Sequence, residues 1–103
     1  MLKSEIFADV LGVVSAQTEI PADRILSPER TTEVVDAKYI LIYIMKDMGF
    51  YPEQIARLMH QTPANIRKVL SLFHDRVSVN PVMEFHLTAV QHRLKNSGEA
   101  EKS

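Results

Sequence analysis

Cysteine is absent from this 103-residue sequence, and glycine occurs only three times. Without cysteine the chain can form neither a disulfide framework nor a thiolate metal site, which favours a cytoplasmic location. Residues with high helix propensity recur throughout the sequence, and 46% of all residues are hydrophobic. A chain of this length can bury about two-thirds of its unfolded surface around one core. We therefore expect a single all-α domain, folded as a compact bundle of five to six helices.

A long hydrophobic run is also missing. The longest uninterrupted apolar stretch runs from Tyr39 to Met45, far short of the ~20 residues that a membrane-spanning helix requires. Charged residues interrupt the apolar N-terminal segment, which argues against a signal peptide. The sequence therefore predicts no membrane association.

The chain has no excess of positive charge, and its formal net charge at pH 7 is −1. DNA-binding domains are usually basic, because neutralisation of phosphates supplies much of their affinity. The charge is unevenly distributed, however. Residues 1–50 carry five basic and eight acidic residues, residues 78–103 carry three of each, and residues 51–77 carry four basic and two acidic residues. This distribution favours a nucleic-acid contact within 51–77, whereas the total charge argues against tight binding.

The most informative stretch is the same segment, residues 51–77, whose pattern predicts a helix-turn-helix. Pro52 fits the first position of a helix, and Thr62-Pro63 supplies a cap and a proline start for a second one. Only about three residues separate the two helices, so they must cross steeply. One face of the second helix carries apolar residues at helical spacing: Ile66, Val69, Leu70 and Phe73.

His60 lies in the turn between these helices, where glycine is common. Histidine is among the non-glycine residues that tolerate the left-handed backbone conformation, so the turn remains feasible. An ordinary helical hairpin with a solvated polar face is the alternative interpretation of this segment.

Apolar periodicity predicts the remaining helices. We expect helices at 3–17, 32–48, 52–59, 63–77 and 81–95, and a short turn or single helical turn within 19–26. The helix at 32–48 has hardly any polar face and should be central. Thr31 or Thr32 can cap it, and Asn80 can cap the last helix. The domain then spans 1–95, with a flexible tail at 96–103, and six residues should be buried together: Ile40, Ile44, Ile55, Ile66, Val69 and Phe73.

The last predicted helix carries an apolar seam spaced at four, three and four residues, formed by Met83, Leu87, Val90 and Leu94. Such a seam suits contact with one partner helix. Packing against the chain's own domain is the favoured interpretation, and a homodimer contact is the alternative.

In the order of its elements, the chain from about residue 10 to residue 73 resembles the C-terminal DNA-binding domain of the bacterial replication initiator DnaA. The best-matched pieces are VVSAQTEIPADRIL, the long helix, YPEQIARLM and IRKVLSLF. The resemblance implies a DnaA C-terminal-domain or Trp-repressor-like bundle that binds double-stranded DNA.

The chain departs from this family in two places. The family's hallmark of a glycine pair, Arg-Asp-His and two hydroxyl residues is replaced by HQTPAN, which is one residue shorter and has no counterpart of the Asp-His pair. The family's arginine-rich basic loop is SPERTTEVVDAK here, which keeps Arg30 and Lys38 among three acidic residues. No glycine-rich phosphate loop is present in these residues, which excludes ATP hydrolysis by that route.

We predict that the second helix of the helix-turn-helix binds double-stranded DNA, in a sequence-specific or structure-dependent manner. The protein would then be a replication-associated or transcription-regulatory module located at the nucleoid. Asn65 can pair with adenine, and Arg67 or Lys68 can reach guanine or phosphate. Gln61 and Thr62 can meet a phosphate at the helix N-terminus. The full predicted site comprises Gln61, Thr62, Ala64, Asn65, Arg67, Lys68 and Ser71, with flanking contacts from Arg30 and Lys38. The alternative is a protein–protein interaction domain that keeps the fold but has lost DNA binding.

The sequence offers little support for catalysis. Its histidines at 60, 74, 86 and 92 do not share a helical face at the spacing of metal ligands, and no serine–histidine–acid arrangement can be inferred from spacing. We therefore expect no catalytic residues, no metal and no cofactor, and the protein is predicted not to be an enzyme.

Overall fold

Each segment with apolar residues at helical spacing forms one helix in the computed structural model. The structure describes the backbone of residues 2–102 and the side chains of residues 2–96. Within these residues the chain forms six α-helices: α1 (Lys3–Thr18), α2 (Ala22–Ile25), α3 (Thr32–Asp47), α4 (Pro52–Met59), α5 (Pro63–Ser78) and α6 (Pro81–Lys102). The radius of gyration is 13.0 Å. The predicted all-α bundle is therefore confirmed. No helix of the described chain combines the length and the apolarity that a bilayer crossing requires.

The helix boundaries agree closely with the periodicity, except at the end of α6. The bounds of α4 are the predicted ones, and α1, α3 and α5 end within one residue of the predicted positions. The backbone of α6 continues to Lys102, beyond the predicted end at Lys95, and no proline interrupts the helix in this segment. The predicted flexible tail, residues 96–103, falls almost entirely outside the residues whose side chains the structure describes.

Helix α3 is the centre of the bundle and packs against each of the other five helices. Its side chains at Val34, Ala37, Ile40 and Leu41 are fully buried, as the near absence of a polar face predicts. The predicted threonine cap is wrong in detail. Thr31 occupies the N-cap position, but its hydroxyl bonds no helix N–H and instead donates to Glu29 Oε2 at 2.7 Å.

The connection between α4 and α5 adopts the predicted left-handed turn. His60 has φ 56° and ψ 44°, which allows the Gln61 N–H to donate to the Ala56 carbonyl at 2.9 Å. This hydrogen bond satisfies one of the orphan carbonyls at the end of α4. Thr62 then caps α5, since its hydroxyl oxygen accepts the N–H of Asn65 at 3.1 Å. The turn and its cap are therefore confirmed.

Because His60 has a left-handed backbone, His60→Gly should raise the free energy of unfolding by about 0.5–1 kcal/mol, as glycine removes the steric cost of this conformation. Urea denaturation measures the change. Arg57→Gly in the helical interior of α4 is the control and should instead cost about 1 kcal/mol. A His60→Gly protein that is destabilised as much as Arg57→Gly would contradict the expectation.

The apolar seam of α6 lies inside the domain. Met83 and Val90 are fully buried, and Leu87 and Leu94 pack against the core, because α6 lies across α1, α3 and α5. The seam therefore packs inside its own domain, as the favoured interpretation has it, with Leu87 and Leu94 only partly buried. The homodimer contact through Met83, Leu87, Val90 and Leu94 stays an untested prediction.

A polar network joins the start of α3 to the junction of α5 and α6. The carboxylate of Asp36 accepts hydrogen bonds from Arg76 Nε at 2.8 Å and from Asn80 Nδ2 at 3.1 Å. Asn80 also caps α6 as predicted, because its Oδ1 accepts the N–H of Met83 at 3.0 Å. The Arg76 guanidinium lies 4.8 Å from the centre of the Tyr39 ring. The network fixes the C-terminal end of α5 on α3.

Candidate nucleic-acid interface

A surface cleft of about 280 Å³ lies between the loop after α2 and the N-terminal half of α5. Apolar side chains from α2, α3, α4 and α5 form its floor, and three cationic and two amide side chains lie among its lining. We refer to it as the basic cleft. It is lined by Ile25, Leu26, Pro28, Arg30, Val35, Lys38, Tyr39, Ile42, Met59, Gln61, Asn65, Lys68 and Val69.

The structure brings five of the nine predicted site residues together around this cleft: Arg30, Lys38, Gln61, Asn65 and Lys68. They come from three segments that are well separated in the sequence. The two amides contact each other, since Asn65 Nδ2 donates to Gln61 Oε1 at 3.0 Å. All of these side chains except Lys38 are exposed. Most of the polar groups of the cleft are therefore accessible to a ligand.

Lys38 has a structural role that the sequence did not predict. Its Nζ donates to the carbonyls of Ser27 at 2.5 Å and Glu29 at 3.0 Å, and burial, together with the nearby charge of Arg30, lowers its pKa. Two of the three ammonium protons are thus used to hold the loop against α3. Lys38 positions the loop that carries Arg30 and has one proton left for a phosphate.

The acidic residue of this loop, Glu29, is compensated within the loop itself. Its carboxylate accepts hydrogen bonds from Arg24 at 3.0 and 2.6 Å and from the Thr31 hydroxyl at 2.7 Å. These partners, with Arg24 first, lower the pKa of Glu29 to about 2. The carboxylate consequently stays ionised and paired with Arg24, and it does not neutralise the exposed Arg30.

The sequence interpretation therefore missed the residues that shape the loop. Ser27 could have indicated the turn, because a serine before a proline favours a turn that its own side chain closes. In the structure the Ser27 Oγ accepts the Glu29 N–H at 3.2 Å. The pairing of Arg24 with Glu29 had no such signal. The two residues are joined across the irregular end of a single-turn helix, where no periodic spacing relates them.

Arg67 lies outside the basic cleft. Its guanidinium pairs with Glu53 of α4, and the two side chains are 57% and 56% exposed. Exposed ion pairs contribute about 0–1 kcal/mol, so Arg67 can exchange Glu53 for another anion at small cost. The basic side chains of α5 thus diverge, with Lys68 towards the cleft and Arg67 towards α4.

The three remaining predicted residues have different positions. Thr62 is the cap of α5, while Ala64 and Ser71 are exposed on that helix and do not line the cleft. The Ser71 hydroxyl donates to the Lys68 carbonyl at 2.7 Å. Short side chains at these positions allow another molecule to approach the backbone of α5 closely.

The electrostatic setting of the α5 N-terminus favours an anion. The first turn of α5 contains no acidic residue, and its aligned peptide dipoles place positive partial charge at this end. Lys68 and Arg30 lie on the adjoining cleft wall. Helix N-termini commonly bind phosphate. In α5 Pro63 has no N–H and Thr62 accepts that of Asn65, so the attraction for an anion comes mainly from the helix dipole and these two side-chain cations.

The fold and the cleft together define an all-α domain whose α4–α5 pair presents an exposed, locally basic helix beside an anion-favouring cleft. No protein-family model matches the chain, and no curated protein does so either. The resemblance to the DnaA C-terminal domain is carried by the quoted residues and stays a prediction. Among the described residues, no three histidine, aspartate or glutamate side chains are grouped as a metal site would require.

Proposed function

We propose that this domain binds double-stranded DNA, with α5 in the major groove and the basic cleft on the flanking phosphates. The observation that carries the proposal is the convergence of Arg30, Lys38 and Lys68 with the amides of Gln61 and Asn65 around one cleft at the start of α5. Residues that meet there come from an exposed loop, from α3, from the α4–α5 turn and from α5. This arrangement suits a cytoplasmic, nucleoid-associated module in replication or transcription control.

Each group has a distinct task in the proposed complex. Asn65 is exposed in the first turn of α5 and can pair with an adenine edge once it releases Gln61. Ala64 and Ser71 let the helix backbone approach the bases. Lys68 and Arg30 contact phosphates on the cleft side, and contacts of this kind fix the register of the helix on the duplex.

The acidic balance of the whole chain makes the proposed binding modest and dependent on salt. If three or four phosphates are neutralised, the logarithm of affinity falls against the logarithm of salt concentration with a slope of about −3 to −4. We expect this slope when fluorescence anisotropy of a labelled duplex is titrated with the protein between roughly 50 and 200 mM salt. A single strand of the same sequence is the control and should bind more weakly. Absence of duplex binding at about 50 mM salt would refute the proposal.

The alternative function is protein–protein interaction, which the sequence interpretation placed instead of DNA binding. It is favoured by one specific observation, which is that exposed apolar side chains are concentrated at Val79, Val82 and Phe85. None of these three lines the basic cleft, so a protein partner and a duplex would use different surfaces of the domain.

A further inference from the structure

The guanidinium of Arg67 is held by a carboxylate of the same helix-turn-helix. Its Nη2 donates to Oε1 of Glu53 in the first turn of α4, so the pair bridges α4 and α5 at a sequence separation of 14. Within residues 51–74, Glu53 is the only acidic residue. The single negative side chain in this part of the chain is therefore paired with a cation of α5.

Arg67 lies on a side of α5 that the proposed complex turns towards the duplex. Ala64 is three residues before it and Ser71 four residues after it, so the three share one side of the helix, and all are exposed. In helix-turn-helix complexes the second helix enters the major groove, while the first helix crosses the sugar–phosphate backbone. A cation that reaches from α5 towards α4 is thus placed near the phosphates.

The pairing of Arg67 with Glu53 can be exchanged for pairing with a phosphate. Both side chains are more than half exposed, and water and salt screen the attraction between exposed charges. Arginine forms charge-assisted hydrogen bonds with carboxylate and phosphate oxygens alike. The carboxylate of Glu53 keeps a favourable interaction after the exchange, because it lies at the positive end of the α4 dipole.

We infer that Glu53 is an internal competitor of the phosphate backbone and limits the duplex affinity of this domain. The inference rests on the proposed DNA binding. In the complex Arg67 gains a phosphate only by giving up Glu53, so this contact adds little to the net affinity. The carboxylate that is left behind then repels the phosphates nearby. Without Glu53, the contact between Arg67 and a phosphate would contribute in full.

Glu53→Gln tests this competition, because glutamine keeps the size of the side chain and removes its charge. Duplex affinity at about 50 mM salt should rise roughly 3–10-fold, and the salt slope should become steeper by up to about 1, as for one more phosphate contact. Glu84→Gln is the matched control, since it makes the same change in net charge at an exposed position on α6. That helix contributes no residue to the basic cleft, so affinity should change less than about 2-fold.

A purely structural role of Glu53 would affect stability alone. Glu53→Gln removes an ion pair and a favourable charge at the start of α4, so its melting temperature should fall slightly. The inference expects this small loss of stability together with tighter duplex binding. A structural role predicts the loss of stability with unchanged affinity.

A double-mutant cycle shows whether the effect depends on Arg67. In the Arg67→Ala background, Glu53→Gln should raise affinity no more than Glu84→Gln does in the wild type, because no cation is left to release. Nuclear magnetic resonance follows the pair directly. The side-chain Nε–Hε signal of Arg67 should shift when Glu53→Gln is introduced into the free protein, and also when duplex is added to the wild type.

Three results would overturn the inference and leave the proposed DNA binding intact. The first is an equal gain in affinity from Glu53→Gln and Glu84→Gln, because only net charge would then matter. The second is a gain from Glu53→Gln that is undiminished in the Arg67→Ala background. The third is an Arg67 signal that does not respond to Glu53→Gln in the free protein. Absence of duplex binding by both the wild type and Glu53→Gln would instead refute the proposed DNA binding, and the inference with it.

Discussion

Ile66→Ala is expected to lower the free energy of unfolding by roughly 2–5 kcal/mol. Ile66 is fully buried on α5, which packs against α3, α4 and α6. Truncation removes three carbons from the core and leaves a cavity that these rigid helices cannot close. Domains of this size have a total stability of only about 5–15 kcal/mol, so thermal unfolding should shift downward by on the order of 10–30 °C.

Leu72→Ala is the control for this prediction, since Leu72 lies on the same helix and is 41% exposed. Its cost should stay within about 0.5 kcal/mol, as for most surface substitutions. Chemical denaturation followed by circular dichroism compares the two variants directly. Equal stability of Ile66→Ala and Leu72→Ala would contradict the packing of α5 described above.

The second large effect is expected for Arg30→Ala/Lys68→Ala, which removes two cations of the basic cleft. Under the proposed DNA binding, duplex affinity at about 50 mM salt should fall roughly 10–100-fold, because each lost phosphate contact releases about one counterion fewer. The salt slope should become shallower by about 2. Both side chains are exposed, so the melting temperature should stay close to that of the wild type.

The matched control is Arg93→Ala/Lys95→Ala, which makes the same change in net charge on α6, a helix that contributes no residue to the cleft. If both double variants lose affinity equally, binding depends on net charge and the cleft has no specific part in it.

Asn65→Ala separates base reading from phosphate contact, since it should relax preference at one base pair while the salt slope is unchanged.

The secondary structure of this chain was predictable because apolar periodicity, helix caps and prolines involve residues that are close together in the sequence. Pro52, Pro63 and Pro81 each begin a helix, since proline fits the first helical position. The uninterrupted apolar run of α3, Tyr39 to Met45, also indicated its central place, because a helix with hardly any polar face must be covered on most sides.

The parts of the site that the sequence did not reveal depend on contacts between elements. The sequence suggested that Lys38 is a cation of the basic loop, whereas its ammonium group donates hydrogen bonds to two backbone carbonyls. The positions of backbone carbonyls cannot be inferred from the pattern of side chains. Glu53 and Arg67 pair across the turn at a sequence separation of 14, which only the crossing of α4 and α5 produces.

The uninterrupted course of α5 has a mechanical consequence. Its 16 residues form a rod about 24 Å long, held in the middle by the stacking of Phe73 on Tyr43 of α3, with 4.2 Å between the ring centres. The basic cleft is at one end of this rod, and Arg76 and Asn80 fasten the other end to Asp36 of α3. Under the proposed DNA binding, a duplex held at the cleft would therefore keep a fixed orientation to α3, the helix on which the other five pack.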